Sequence, residues 1–314
     1  MGTTYHVRVV QAELPPQHVA GLRDSVAKAL QRVNDLMSTY DPSSELSRFN
    51  ACESTKAFPV SDDTAAVIRV ALETSKQSEG AFDVTVGPLV ELWGFGSKGR
   101  RTEPPPAAAI AKCLPSVGSH HLHLLPGPAL GKDVPELHVD LSAVAKGFGV
   151  DKTAEALESR GITRYLVEVG GECRARGANE RGEVWRVGID RPVAGNLPGA
   201  DLEKVLALKD ASLATSGDYR NFFEWKGKRY SHTLDPHTGW PVPNALASVS
   251  VVAKTCVVAD GMATALMALG PDRGLALAED RPGVDALLIT RTKDGAFRET
   301  MTSAMRRYLR PPVR

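Results

Sequence analysis

The stretch ASVSVVAKTCVVADGMATALMAL, residues 247–269, decides the fold. Its first part, 247–253, is rich in valine and predicts a β-strand. Thr255 is placed to cap a helix that runs from Cys256 to Leu269. This helix is apolar along almost its whole length, and Asp260 and Thr264 are the exceptions. The sequence therefore predicts a buried helix that carries two polar side chains.

Other strand candidates precede this stretch. They lie at 5–10, 121–125, 137–141, 165–169, 184–189, 204–208, 222–225 and 229–234. Apolar residues at three- and four-residue spacing predict a helix over 19–36. Asp41 and Ser61 are predicted caps of a short helix at 44–49 and of a longer one. Many strands with irregularly interspersed helices predict an α+β fold, with a mixed, largely antiparallel sheet and packed helices.

Length and composition indicate an ordinary globular chain. It has 314 residues, of which 42% are hydrophobic and 24% are charged, so it is far too apolar to be disordered. Without a long linker, we expect one intertwined domain over 1–314, with two lobes around an active site as an alternative. The net charge of +1 gives no general attraction to nucleic acid or to acidic membranes. No run approaches the roughly 20 apolar residues of a membrane span.

The four cysteines form no CxxC pair. Their scatter argues against a zinc site and weakly against a disulfide framework. We therefore expect four unpaired and inert thiols.

Asp260 and Thr264 are the first candidates for chemistry. Their spacing of four places both side chains on one face of a helix, and hard cations such as Mg²⁺ prefer carboxylate, hydroxyl and carbonyl oxygens. The alternative is structural. Asp260 would then interact with the helix dipole, and Thr264 would donate to a backbone carbonyl.

A second candidate is VDLSAVAKGFG at 139–149, where a strand candidate passes through small residues into a helix. The free N–H groups of a helix start favour phosphate, and Lys146 would add a positive charge. A tight strand-to-helix connection without ligand is the alternative.

Three further segments are open to both functional and structural interpretations. In SHTLDPHTG at 231–239, His232 is either a general base or a hydrogen-bonded structural residue. The hydroxyl groups of TSGDY at 215–219 are either functional or part of a turn. The aromatic and glycine residues from 80 to 96 suit either a bound flat ring or a packed loop.

Taken together, these segments resemble the ApbE family of FAD:protein FMN transferases. The resemblance covers essentially the whole chain and rests on eight ordered motifs: MGTTY (1–5), MSTYDPSSELSRFN (37–50), GAFDVTVGPLVELWGFG (80–96), VDLSAVAKGFGVD (139–151), VGGECRARG (169–177), TSGDYRNFF (215–223), SHTLDPHTGWPV (231–242) and ADGMATALM (259–267). It implies an ApbE-like, T-fold-like architecture.

The resemblance also implies roles for individual residues. The positions that match FAD contacts are Met1, Tyr40, Ala81, Phe82, Asp83, Asp140, Lys146 and Leu234. Ala143, through its carbonyl, Asp260 and Thr264 match the Mg²⁺ ligands, and His232 matches a histidine implicated in catalysis together with Asp260.

The implied activity is Mg²⁺-dependent transfer of FMN from FAD to a serine or threonine hydroxyl of an acceptor protein, with release of AMP. A Mg²⁺-dependent FAD pyrophosphatase and a non-catalytic FAD-binding protein are the alternatives. The implied acceptor carries a Ser/Thr-Gly-Ala-Thr type motif, as in a subunit of a redox complex, and this chain contains no such motif. The resemblance implies the periplasmic side of the inner membrane, often with a lipid anchor; the cytoplasm is the alternative.

Overall fold

The computed structural model describes residues 2–11, 13–193, 195–197, 199–219, 221–243 and 245–310. Met1, a predicted FAD contact, lies outside the described residues. The helices of the described chain are α1 (Pro16–Met37), α2 (Glu45–Ala51), α3 (Asp62–Gln77), α4 (Gly87–Trp93), α5 (Ala107–Cys113), α6 (Ser142–Glu158), α7 (Cys256–Leu269) and α8 (Pro271–Glu279).

The strands of the described chain are mostly short. They are β1 (Tyr5–Val9), β2 (Phe58–Pro59), β3 (Leu122–Leu125), β4 (Ala129–Lys132), β5 (Tyr165–Val169), β6 (Glu172–Arg176), β7 (Trp185–Asp190), β8 (Leu202–Leu208), β9 (Ala211–Gly217), β10 (Phe222–Trp225), β11 (Lys228–Ser231), β12 (Leu246–Ala253), β13 (Asp285–Arg291), β14 (Phe297–Met301) and β15 (Leu309–Arg310).

The main sheet has seven strands in the order β1-β5-β6-β9-β12-β13-β14, and each neighbouring pair is antiparallel. Three smaller antiparallel sheets have the orders β15-β8-β7, β2-β4-β3 and β10-β11. The predicted α+β fold with a largely antiparallel sheet is therefore confirmed. The sheet joins β1 to β5, so the first strand pairs with a strand from the middle of the chain.

The apolar helix α7 packs against the centre of this sheet, and its predicted bounds are confirmed. Ala259, Met262 and Leu266 lie in one buried cluster with Val249 and Val251 of β12. All eight residues of β12 are buried, so this strand is covered on both faces. Full burial of one large apolar side chain stabilises the folded state by roughly 1.5–3 kcal/mol. Because α7 buries several such side chains against β12, this contact determines the position of the helix on the sheet.

Two predicted helix caps are wrong. Thr255 occupies the N-cap position of α7, but its side chain makes no capping hydrogen bond. Instead, the carboxylate of Asp151 in α6 accepts hydrogen bonds from the N–H groups of Cys256 (3.0 Å) and Val257 (2.9 Å). A cap supplied by another helix leaves no signal in the local sequence.

The second wrong cap is Asp41 at α2. Asp41 accepts from the backbone N–H of Ser43 in a local turn, at 2.9 Å. Ser44 is the cap, and its Oγ accepts from the N–H of Ser47 at 3.0 Å. The helix accordingly begins one residue after Ser44.

Two other local predictions also differ from the structure. The segment 137–141 forms no strand; it makes one isolated bridge between His138 and Val86. The side chain of Asn50 bonds the N–H (2.8 Å) and the carbonyl (2.9 Å) of Val139, taking the place of a partner strand. The residues at 215–217 end strand β9 rather than making a turn.

The remaining expectations concern the thiols and the membrane. All four cysteines are free. Burial raises the pKa of Cys173 and of Cys256, which keeps both thiols protonated and unreactive, as expected. In the described chain, no helix combines the length and the apolar character that crossing a membrane requires.

Candidate active site

A cavity of about 750 Å³ is lined by residues from distant parts of the chain. Its size falls within the roughly 300–1,000 Å³ of small-molecule sites in proteins. Every predicted site residue that the structure describes contributes to its wall: Tyr40, Ala81, Phe82, Asp83, Asp140, Ala143, Lys146, His232, Leu234, Asp260 and Thr264. The fold therefore brings together residues that the sequence holds more than 200 positions apart.

Helices α6 and α7 cross closely at Gly147, on one side of the cavity. The N–H of Gly147 donates to Asp260 Oδ2 at 2.8 Å. A Cβ atom at Gly147 would lie 2.4 Å from the Cys256 carbonyl oxygen and 2.8 Å from Asp260 Cβ. Only glycine allows this approach, and the approach places the Asp260 carboxylate beside the first turns of α6.

Lys146, Glu172 and Asp260 form what we call the floor cluster of the cavity. The Lys146 ammonium lies 2.6 Å from Glu172 Oε1 and 3.7 Å from Asp260 Oδ1. Glu172 and Asp260 are almost completely buried, with 2% and 3% of their surface exposed. Two buried carboxylates thus share a single ammonium.

The charges of the floor cluster shift one another's pKa values. Burial alone would lower the pKa of Lys146, but Asp260 and Glu172 outweigh that effect and raise it, so Lys146 stays protonated. Burial raises the pKa of Glu172 and of Asp260, even though Lys146 acts in the opposite direction. Because the pKa values of both carboxylates are raised, the Lys146 ammonium does not fully offset the cost of burying their negative charges. Additional positive charge would stabilise their ionised forms.

The predicted cation ligands fit a hard divalent ion. Thr264 lies one helical turn after Asp260, and its hydroxyl is 3.0 Å from Ser216 Oγ. A backbone carbonyl oxygen has two lone pairs, and the N–H of Gly147, which an α-helix directs at the Ala143 carbonyl, donates to Asp260 Oδ2. The Ala143 carbonyl therefore has capacity to bind a cation.

No group of three or more His, Cys, Asp and Glu side chains that could hold a metal occurs among the described residues. Oxygen donors from one carboxylate, one hydroxyl and one carbonyl suit Mg²⁺, which keeps several waters and binds substrate phosphates, better than a transition metal.

Another part of the cavity wall contains the start of α6 and the segment 81–83. Asp140 Oδ1 accepts from the N–H of Ser142 at 2.8 Å, and the Asp140 N–H donates to the Val84 carbonyl at 2.7 Å. Asp83 accepts from the N–H groups of Thr85 (2.7 Å) and Ser119 (2.6 Å), so it stabilises the loop as well as lining the cavity. Hydrogen bonds to backbone groups of the same and of neighbouring segments thus hold Asp83 and Asp140 in place.

His232 is held by the backbone of Asn221. Its Nδ1 lies 3.1 Å from the Asn221 carbonyl oxygen, which can only accept a hydrogen bond. In the neutral ring Nδ1 therefore carries the proton, and Nε2 is free to accept one. Burial lowers the pKa of His232, which favours this neutral form near pH 7. The geometry and the charge state both suit a general base.

Two predicted FAD contacts differ strongly in exposure. Tyr40 is 71% exposed, whereas Leu234 is 6% exposed and pairs with Pro241 in an isolated bridge. Tyr40 therefore presents an exposed aromatic residue to the cavity, and Leu234 forms part of its packed wall.

Sequence reasoning gave Glu172 no role, and it left the hydroxyl group of Ser216 open to a functional or a turn interpretation. Glu172 lies in the motif VGGECRARG and Ser216 in TSGDY, so both belonged to recognised segments. Only the pairing of β6 with β9 and the packing of α7 on β9 place them beside Lys146 and Thr264.

The fold and the cavity define a class: an α+β protein whose site combines a helix start, a buried ammonium and oxygen ligands, which suits a ligand that contains phosphate. The model of the ApbE family matches residues 1–288. The chain is 44% identical to the FAD:protein FMN transferase of Vibrio cholerae serotype O1 over 98% of this chain and 90% of that protein. It is 36% identical to the Escherichia coli K12 protein of the same name, over 98% of this chain and 87% of that one.

The flavinyl transferase ApbE of Pseudomonas stutzeri, solved in its apo form, superimposes with a TM-score of 0.88 at 38% identity, covering 100% of this chain and 95% of that chain. The chain belongs to the ApbE family.

Proposed function

We propose that this protein is a FAD:protein FMN transferase, an enzyme that moves the FMN part of FAD onto a serine or threonine hydroxyl of an acceptor protein. Relatives at 36–44% identity that carry this name over nearly the whole chain support the proposal. The observation that carries it is the cavity, because it brings a candidate base, a helix start and a candidate cation site to a single place.

The proposed reaction transfers a substituted phosphoryl group. The acceptor hydroxyl oxygen forms a bond to the phosphorus on the FMN side of the FAD diphosphate. The bond from that phosphorus to the bridging oxygen breaks, and AMP leaves with that oxygen. His232 Nε2 takes the hydroxyl proton; general base catalysis of this kind typically contributes about 10²–10⁴-fold in rate. The wall residues position the two reactants.

Ala143, Asp260 and Thr264 would hold Mg²⁺ in this proposal. A bound Mg²⁺ supplies Lewis-acid polarisation and charge neutralisation at phosphate oxygens. The Lys146 ammonium and the N–H groups at the start of α6 add further positive charge toward the diphosphate.

The direct test incubates the protein with FAD, Mg²⁺ and an acceptor protein that carries a Ser/Thr-Gly-Ala-Thr motif. We expect the acceptor to gain the mass of one FMN group and AMP to appear in equal amount. An acceptor whose motif hydroxyl residue is replaced by alanine is the matched control and should stay unmodified. Free FMN and AMP with an unmodified acceptor would mean FAD hydrolysis, and bound FAD without AMP would mean a flavin carrier; either result contradicts the proposal.

We also propose, from the family resemblance, that the acceptor is a redox-complex subunit on the periplasmic side of the inner membrane. Fractionation of cells that express the native gene, followed by detection of the protein and of covalent flavin in each fraction, tests this. Activity and protein confined to the cytoplasmic fraction would contradict it.

A further inference from the structure

Glu172 is a buried carboxylate with an incomplete set of partners. It begins β6, lines the cavity, and is 2% exposed. Its Oε1 pairs with the Lys146 ammonium at 2.6 Å. Its Oε2 is buried and has no hydrogen-bond partner among the described residues. A buried carboxylate oxygen without a partner is costly, so this arrangement requires an explanation.

We propose that Glu172 is a positioning residue for the candidate cation site: it holds the Lys146 ammonium away from Asp260 and supplies the negative charge that attracts a divalent cation. This inference rests on the proposed function, since it concerns the same cavity. It assigns Glu172 no contact with the reacting atoms.

The first step of the argument is geometric. Asp260 uses Oδ2 to accept from the N–H of Gly147 at 2.8 Å, so Oδ1 is the oxygen left for a cation. The Lys146 ammonium lies 3.7 Å from that oxygen but 2.6 Å from Glu172. If Glu172 lost its charge, Asp260 would be the remaining carboxylate of the floor cluster for this ammonium. Lysine and the divalent ion would then compete for one oxygen.

The second step is electrostatic. With both carboxylates ionised, two carboxylates and one ammonium give the floor cluster a formal charge of −1, and neutralising Glu172 would make it zero. Charges interact strongly over a few ångströms in a buried site, because the effective dielectric constant is well below that of water. A cluster of zero charge therefore attracts a divalent cation much less, and it repels an anionic diphosphate less as well.

Neutralising Glu172 should thus weaken cation binding but not the binding of an anionic diphosphate, and a test can compare the two affinities. Glu172→Gln keeps the shape of the side chain and removes its charge, and Glu172→Asp keeps the charge on a shorter side chain. Glu158→Gln is the matched control, because Glu158 pairs with Arg176 at 2.9 Å and does not line the cavity in the described part of the chain. Mn²⁺, a hard cation that oxygen ligands accept, serves as the probe.

Mn²⁺ affinity is measured without FAD, from the electron paramagnetic resonance signal of the free ion. FAD affinity is measured in EDTA, from the quenching of flavin fluorescence. For Glu172→Gln we expect Mn²⁺ to bind at least tenfold more weakly and metal-free FAD to bind equally or more tightly. Glu172→Asp should recover most of the Mn²⁺ affinity, and Glu158→Gln should match the wild type in both measurements.

Unchanged Mn²⁺ affinity in Glu172→Gln would overturn the inference. A parallel loss of Mn²⁺ and FAD binding in Glu172→Gln, with no recovery in Glu172→Asp, would also overturn it, because that pattern indicates a structural role. Both readouts measure binding rather than transfer. A wild-type protein that binds Mn²⁺ as expected but modifies no acceptor would contradict the proposed function and leave this inference standing.

Discussion

Two buried aspartates hold helices α6 and α7 together, and they do so in reciprocal ways. Asp151 extends from α6 to the first N–H groups of α7, while Asp260 extends from α7 to the N–H of Gly147 in α6. Each is almost completely buried, with 5% and 3% of its surface exposed, and burial raises the pKa of both. They differ in how fully their oxygens are used.

Asp151 has a partner for each oxygen. Its Oδ1 accepts from Cys256 N–H and from Arg174 at 2.8 Å, and its Oδ2 accepts from Val257 N–H. Asp260 accepts one backbone hydrogen bond through Oδ2, and the partner of its Oδ1 within the described residues is the ammonium of Lys146 at 3.7 Å. A carboxylate with a full set of partners stabilises the fold, whereas one with an open oxygen beside a cavity is available for a ligand.

The largest expected effect is loss of activity in Asp260→Ala. Removing the carboxylate eliminates a cation ligand, so AMP release and acceptor modification should fall by roughly 10³-fold or more. The free energy of unfolding should change by only about 1 kcal/mol, because one hydrogen bond is lost and an incompletely compensated charge is removed with it. Initial rates of AMP release and urea unfolding curves measure the two quantities.

Asp260→Asn is the matched variant, since it preserves the side-chain shape and the acceptor for Gly147 N–H. It should lose activity almost as fully as the alanine variant. Full activity of Asp260→Ala with added Mg²⁺ and FAD would refute the assignment of Asp260 as a cation ligand.

For Asp151→Ala we expect the opposite of the Asp260→Ala result: a large loss of stability and little effect on the site. Two N–H groups at the start of α7 lose their acceptor, and Arg174 loses its closest carboxylate. The free energy of unfolding should therefore fall by about 3–5 kcal/mol. Asp151 does not line the cavity in the described part of the chain, so the protein that remains folded should bind FAD normally. Urea unfolding and FAD titration at low temperature test this. A variant with wild-type stability and impaired FAD binding would reverse the roles of the two aspartates.

Gly147→Ala tests the contact on which Asp260 depends. The added methyl group would approach the Cys256 carbonyl oxygen within 2.4 Å and force the helices apart. Overpacking of this kind costs about 1–3 kcal/mol, which exceeds the roughly 1 kcal/mol that alanine gains over glycine in a helix. We expect net destabilisation together with weaker Mn²⁺ binding.

Gly21→Ala in α1 is the control, because its nearest neighbour would be Arg160 at 3.6 Å, an ordinary contact. That variant should be as stable as the wild type or more stable. Equal behaviour of the two glycine variants would show that the close approach at Gly147 is unimportant.

Sequence patterns predicted those parts of the fold that depend on local periodicity. The apolar run gave the bounds of α7, and the spacing of four placed Asp260 and Thr264 on one face. Strand β9 was missed because its small hydroxyl residues resemble a turn, and it is a strand because β6 and β12 pair with it on both sides. Helix α4 was not predicted, although Pro88 in its first turn is typical of a helix start.

The site was predictable only in part, because sequence patterns report local spacing and the site also depends on contacts between distant segments. Residues on one helix, or in one motif, could be grouped from the sequence. The contact of Lys146 with Glu172 joins a helix to a strand, and the capping of α7 by Asp151 joins two helices. Such contacts depend on sheet order and helix crossing, which spacing along the chain does not determine.

His232 shows the same difference between a polar atom that has a partner and one that is open, and the smallest effect we expect is its influence on the pH dependence of activity. Its Nδ1 is bonded to the Asn221 carbonyl, and its Nε2 has no hydrogen-bond partner among the residues that the structure describes. Because burial lowers the pKa of His232 below the usual 6.5, more than half of the molecules keep the neutral ring at pH 6.5. Activity should therefore fall by less than about twofold from pH 8 to pH 6.5, and by about tenfold per unit below the pKa. His232→Ala should lose turnover far more than FAD affinity and should lack this acidic limb; a limb that persists in the variant would assign the titration to another group.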